Sequence, residues 1–395
     1  MAIDTITGTE NNPDVIETGN ITEVEIEPTE EERIRNAAEI LVTEATVIVD
    51  DEVEELPQTD FDANLVDELT SSELLNLASS VVRSIKADKE SRKDWEETYI
   101  DGLKYLGMKF EKMRSQPFEG SSGVIHPILA ESVTQFQAQA YKELLPATGP
   151  VKTEVIGART AEVDAQAERV QQFMNFYIMN VMQDYDPELD MLLFYLPIAG
   201  SAFKKVYYNV SQNRAISKFI EPENLIVPYD AADLSGAERV THVLSMSKNE
   251  IKKQQLSGFY ANIELTGDGG NITQDEIEKT IDDIEGTSPT YMEERDRTVF
   301  EVHTVLDLPN FEDTNEAGET TGLKLPYIVT IDEPSQKVLS IRRNYRPDDP
   351  LKNKINYFVQ YKFLPGLGFY GLGLSHMIGG LSKASTSILR QLIDA

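Results

Sequence analysis

At about residue 200 the spacing of apolar residues changes from a helical period to a strand period. This constrains the fold more than any motif in the chain. Upstream, apolar positions recur every three or four residues, as in Leu74, Leu75, Leu77, Val81, Val82 and Ile85, then Trp95, Tyr99, Leu103 and Leu106, then Ile128, Leu129, Val133, Phe136, Ala140 and Leu144. Side chains at that interval lie on one face of a helix. Downstream, short runs rich in Val, Ile, Tyr and Phe at 202–210, 214–220, 225–227, 240–246, 296–308, 325–332, 337–345 and 355–363 read as strands. The first two flank Ser211-Gln212-Asn213, a hairpin-turn composition, and successive strands on short loops favour antiparallel pairing. The expected class is α+β: an N-terminal helical layer followed by a mostly antiparallel β region.

Punctuation refines the boundaries. Ser71 or Ser72 offers a cap for the first helix, and Pro127 sits where a first-turn proline belongs. Pro146 and Gly149-Pro150 end the third helix. A long helix is expected from about Thr160 to Asp184, with Val163, Val170, Phe173, Tyr177 and Val181 on one face. The stretch 188–200 is nearly apolar and reads as a buried helix, 247–256 as a short one, and 374 onward as a last helix with Leu374, Ile378, Leu381, Ile388 and Leu392 on one side.

Charge is placed unevenly along the 395 residues. The net charge is −32, and residues 1–70 account for −19 of it, with 21 Asp and Glu against Arg33 and Arg35. Low hydrophobicity with like charge favours disorder, so 1–70 reads as an acidic arm, either a solvating tail or a binding arm for a basic partner. A short helix around Glu30–Val42 and an extended 45–50 are its possible local structure. Residues 264–292 are acidic and Gly-rich and read as a mobile insertion in the β region, 201–365. So acidic a chain repels phosphate at long range, which disfavours tight nucleic-acid binding. Cysteine is absent, which excludes disulfides and thiolate chemistry. The longest apolar stretch, 191–200, is too short for a bilayer, so no membrane association is expected.

The candidates for chemistry each have a plainer reading. Gly366, Gly368 and Gly371 spell G-x-G-x-x-G between a strand and a helix. A dinucleotide site needs a βαβ unit with an acid ending the second strand, and the acid nearest the right distance, Asp394, lies inside the last helix. Glycines that let a strand turn tightly into a helix are the better account. The acids of 184–190 alternate as in a calcium loop, but Leu189 stands where glycine is required and Tyr195 where the bidentate Glu belongs. His126, His242, His303 and His376 have no metal-ligand spacing, and His126 reads as a turn or capping residue. Lys204-Lys205 and 342–346 (RRNYR) read as solvated strand faces. No nucleophile elbow or Walker lysine motif is present, so no catalytic, cofactor or metal residue is assigned.

Several segments in order carry a resemblance. The stretches 114–157, 200–210, 219–242 and 369–395, with the helix bearing Trp95, Tyr99, Gly102 and Leu103, resemble the N-terminal region of portal proteins of tailed bacteriophages, of the long podovirus and marine-phage type. The resemblance spans roughly residues 90–395 without the acidic insertion. It implies a portal-type wing, with 71–200 its helical part, 201–365 its β-rich part, and 366–395 a Gly-rich turn and the start of a helix leading to a stem and clip. It implies a non-enzymatic subunit of a ring of roughly twelve copies at one capsid vertex. Double-stranded genomic DNA would be packaged and ejected through that ring without sequence-specific binding. Implied partners are the major capsid and scaffolding proteins, the terminase large subunit, and head-completion or tail adaptor proteins, in the virion and in the host cytoplasm during assembly. Family members are longer, so the chain reads as an N-terminal portion. An acidic-arm adaptor and a nucleotide-binding enzyme using Gly366–Gly371 are the alternatives.

Overall fold

A computed structural model describes residues 60–106, 118, 120–210, 212–266, 276–285, 296–314 and 319–395. The expected features of 1–59, including the helix near Glu30–Val42 and the extended 45–50, lie outside the described residues.

The helical layer opens with a single 3₁₀ turn at Leu65–Glu68, followed by α1 (Ser71–Ser91). Thr70, not Ser71, is the cap: its backbone N–H donates to Glu73 Oε2 at 2.8 Å and its hydroxyl accepts from the Glu73 N–H. Only Thr70 stands three residues before a glutamate, the spacing a reciprocal cap needs. Next come α2 (Lys93–Leu106), α3 (Ile128–Leu144) and α4 (Ala161–Phe176). The helix expected to run to Asp184 instead widens into one π turn, Tyr177–Val181, where the Met182 N–H bonds to the Tyr177 carbonyl at 2.9 Å. It then restarts as α5 (Tyr185–Ala199), whose Leu189, Leu192, Leu193 and Leu196 are buried as expected.

Among the described residues all strand pairs are antiparallel. β1 (Ser201–Asn209), β2 (Arg214–Ile220) and β8 (Phe358–Lys362) form a three-stranded sheet in the order β2-β1-β8. β3 (Leu225–Ile226), β4 (Arg239–Met246), β5 (Arg297–Leu306), β6 (Leu325–Asp332) and β7 (Lys337–Arg343) form a second sheet in chain order. A helix, α6 (Lys248–Leu256), follows β4, and α8 (Leu374–Asp394) ends the chain. The mixture of helix and antiparallel sheet is the expected α+β class.

Two large apolar cores hold the layers together. Trp95, Tyr99, Leu103, Leu129 and Val133 of α2 and α3 pack against Phe203, Ile220, Phe369 and Tyr370 near the small sheet. Leu65, Val81, Val82 and Ile85 pack against Val302, Tyr327, Val329 and Ile341 of the large one. Part of the acidic insertion joins the first core. Residues Glu276–Glu285 are a helix, α7, and Ile277 is 1% exposed with Ile281 and Ile284 packed beside it. These three isoleucines follow a helical period that the surrounding Asp and Glu mask in a composition-based reading.

Candidate assembly surfaces and the glycine-rich turn

The glycines of 366–373 face protein. A Cβ on Gly371 would lie 2.4 Å from the Gly200 carbonyl oxygen and 2.7 Å from that of Leu364; one on Gly373 would lie 2.4 Å from the Ile198 oxygen. A Cβ on Gly368 would meet the Tyr229 ring at 2.4 Å, and one on Gly366 the Tyr370 oxygen at 2.3 Å. Gly200 itself takes the left-handed conformation, φ +82°, as the residue ending α5, and its own Cβ would strike the Gly371 oxygen. Two backbone corners therefore meet with no side chain between them. Four amides in and beside the turn are already bonded: Phe363 N–H to Gly200 O at 2.9 Å, Phe369 N–H to Tyr229 O at 2.9 Å, Gly371 N–H to Ser201 Oγ at 2.7 Å and Leu372 N–H to Leu364 O at 2.9 Å. Moreover, β8 pairs antiparallel with β1, not in a βαβ unit.

The turn is keyed into the body by Tyr370. Its hydroxyl donates to the Leu225 carbonyl at 3.1 Å and accepts from Arg92 Nη1 at 3.0 Å. Arg92, 1% exposed, also bonds Glu96 at 2.7 Å, the Leu225 carbonyl at 2.9 Å and the Glu223 carbonyl at 2.7 Å. The Trp95 ring stacks 4.5 Å from that of Tyr370 and donates its indole N–H to the Ala199 carbonyl at 3.1 Å. A buried arginine whose three nitrogens each meet an acceptor fixes geometry.

The acids of 184–190 are each engaged. Asp184 pairs with Arg214, Asp186 accepts from the Tyr141 hydroxyl at 2.6 Å, Glu188 from the Phe219 N–H at 2.5 Å and Asp190 from Gln137 at 2.8 Å. Among the described residues, no group of three or more His, Cys, Asp or Glu could hold a metal ion. His376 accepts the Gly373 N–H at 3.2 Å as part of the α8 cap, while the backbone N–H of His126 bonds Thr386 at 3.1 Å. Also among the described residues, no helix is long and apolar enough to cross a membrane.

Both basic clusters differ from the expected solvated strand faces. Lys204 is 2% exposed and sits 4.5 Å over the Tyr185 ring, where burial pushes its amine down to about 8. Its neighbour Lys205 points to the opposite side and pairs with Glu301 of the other sheet. Arg342 stacks 4.4 Å from the Phe259 ring and donates to the Phe259 and Asp62 carbonyls. Arg343 bonds the Phe61 carbonyl at 2.9 Å. These arginines clasp the segment before α1 onto β7. Their acceptors lie far away in sequence, so no local pattern announces them.

Two helices leave apolar faces uncovered among the described residues. α8 is inside out: Ser375, Ser382 and Thr386 are at most 5% exposed, while Met377, Leu381, Ile388 and Leu392 are 56–74% exposed. Two of the three buried hydroxyls do bonding work, Ser375 donating to the Ile198 carbonyl at 2.8 Å and Thr386 accepting from His126. Arg390 and Asp394 reach back to the Val124 carbonyl and the Ser122 N–H, both at 2.7 Å. The residues flanking the exposed stripe, Gly380, Ala384, Ser387 and Gln391, are small or uncharged. α4 buries none of its residues; Val163, Val170 and Phe173, expected on one face, are 37%, 46% and 61% exposed. Its other side holds the extended segment after Gly149: Asn175 accepts from the Val151 N–H at 2.8 Å and donates back to its carbonyl at 3.0 Å.

Compared with known proteins, the chain matches no family model, and a search of curated proteins finds no match.

Proposed function

We propose that the chain is a structural subunit of a portal ring, the connector at one capsid vertex of a tailed bacteriophage through which double-stranded DNA passes. The observation that carries this reading is α8. A helix that turns its hydroxyls inward and a continuous aliphatic stripe outward is built to be covered by a neighbour. The ordered resemblance of residues 90–395 to portal wings names the neighbour as further copies of the chain. Capsid, scaffolding, terminase large subunit and head-completion or tail adaptor proteins then dock on the assembled ring, in the virion or during assembly in the host cytoplasm. The role asks for no catalytic group. A net charge of −32 suits a conduit, because acidic walls repel phosphate and leave DNA free to slide. A portal-type wing is the finer fold reading that goes with it.

Negative-stain electron microscopy of the purified chain at two protein concentrations tests the proposal. Rings with a central hole are expected. Discrete monomers or two-fold dimers at both concentrations count against it.

A further inference from the structure

From the two uncovered helix faces we infer a head-to-tail contact: the apolar stripe of α8 in one protomer seats on the apolar face of α4 in a second copy. The inference rests on the ring reading for its biological setting but stands on the faces themselves.

Both faces belong to the same chain, and among the described residues neither has a partner. α8 offers Met377, Leu381, Ile388 and Leu392, while α4 offers Val163, Val170 and Phe173. Aliphatic side chains on one helix and an aromatic on the other allow ridges to enter grooves, and Gly380 and Ala384 beside the stripe permit close approach. Charge favours the pairing. α8 carries Lys383 and Arg390 against Asp394, a net charge of +1 on a helix of a chain whose net charge is −32. α4 carries Glu162, Asp164 and Glu168 against Arg169, all exposed. An α8-to-α8 dimer would oppose two net-positive helices, and an α4-to-α4 dimer two acidic ones. The cross pairing sets a net-positive helix against an acidic one. It is also heterologous, so each copy keeps one free α4 and one free α8 until the chain of contacts closes on itself.

The test uses two variants at exposed positions, one carrying Leu381→Glu with Ile388→Glu and the other Val170→Glu with Phe173→Glu. Unchanged circular dichroism and melting show that each is folded. Should either misfold, the milder Leu381→Ser and Phe173→Ser replace them. In sedimentation velocity the wild type is expected to self-associate, and each variant alone to do so at least about tenfold more weakly. Mixed in equal amounts, the two are expected to form a one-to-one dimer that grows no further, because only one intact α4 and one intact α8 remain. A wild type that stays monomeric overturns the inference. So does an α4 variant that assembles like the wild type, or a mixture that yields no heterodimer. If the variants still form rings in the electron microscope, the ring reading stands and the assignment of its contact to α4 and α8 falls.

Discussion

Lys205 of β1 and Glu301 of β5 bind each other across the two sheets, with the ammonium 2.5 and 2.7 Å from the two carboxylate oxygens and each side chain 17% exposed. His303 Nε2 lies 2.8 Å from the same carboxylate, and Phe358, the strand partner of Lys205, stands edge-on 4.9 Å from the His303 ring. The pair is therefore a rivet between layers. Removing one partner leaves the other charge enclosed, so Lys205→Met is expected to cost about 3 kcal/mol in urea unfolding. The double change Lys205→Met with Glu301→Leu should recover most of that loss, since a desolvated ion pair and a packed apolar pair are often close in energy. A double variant as weak as the single one would show that the carboxylate serves something other than Lys205.

The same cluster sets the acid limit of the fold. Burial raises the Glu301 carboxyl, but the hydrogen bond with His303 and the charge of Lys205 outweigh it and hold it far below the ordinary range. Burial pushes His242 down to about 3 and lowers His303 as well, against the pull of Glu301. Lys218 and Lys354 act on the two histidines in the same downward sense. Every one of these shifts is a depression. The unfolded chain takes up protons that the folded chain refuses, and stability falls as pH drops below about 6.5 for the histidines and below about 4.5 for Glu301. The melting temperature should fall steadily from pH 7 to pH 4. His242→Leu should flatten the part of that decline between pH 6.5 and 4.

Glu223 has the opposite sign. Burial, helped by the neighbouring Glu221 charge, pushes its carboxyl up to about 8. Between about 4.5 and 8 the unfolded chain ionises this group while the folded chain keeps it protonated, so its contribution to stability is lost as pH rises through that window. Glu223→Gln should therefore raise the melting temperature more at pH 8 than at pH 5. An equal shift at both would mean that the carboxyl is ionised in the folded protein.

Sequence alone carried the elements well, because most strands and helices bury at least one face and so leave an apolar run or period. It carried the interior polar clusters poorly. The partners of Lys205 and Arg342, and those of Arg92 other than Glu96, are far away in the chain, and nothing local marks a lysine as buried. It also left open what covers two apolar faces. Val163, Val170 and Phe173 on α4, and Leu381, Ile388 and Leu392 on α8, have core-like spacing yet face outward. Periodicity reports that a face is to be covered, not whether its own chain covers it. The hint in α8 was compositional: hydroxyls at 375, 382 and 386 share a helical face, which is unusual unless that face packs tightly.

The glycines of the chain separate the two meanings that a glycine has. Gly371 lies where any Cβ falls 2.4 Å from a carbonyl oxygen of another segment, and Gly200 adds a positive φ to a similar collision. Neither backbone can yield, since each is bonded to the other's strand through Phe363 and Ser201. Gly371→Ala and Gly200→Ala are each expected to cost more than about 2 kcal/mol. Gly379, inside α8, has nothing within 4 Å of its Cβ direction. Alanine there removes backbone freedom from the unfolded chain and should stabilise by about 0.5–1 kcal/mol. Chemical denaturation of the three variants reads both effects on one scale. If Gly371→Ala were as harmless as Gly379→Ala, the two corners would not be in contact, and the turn would again be open to a ligand.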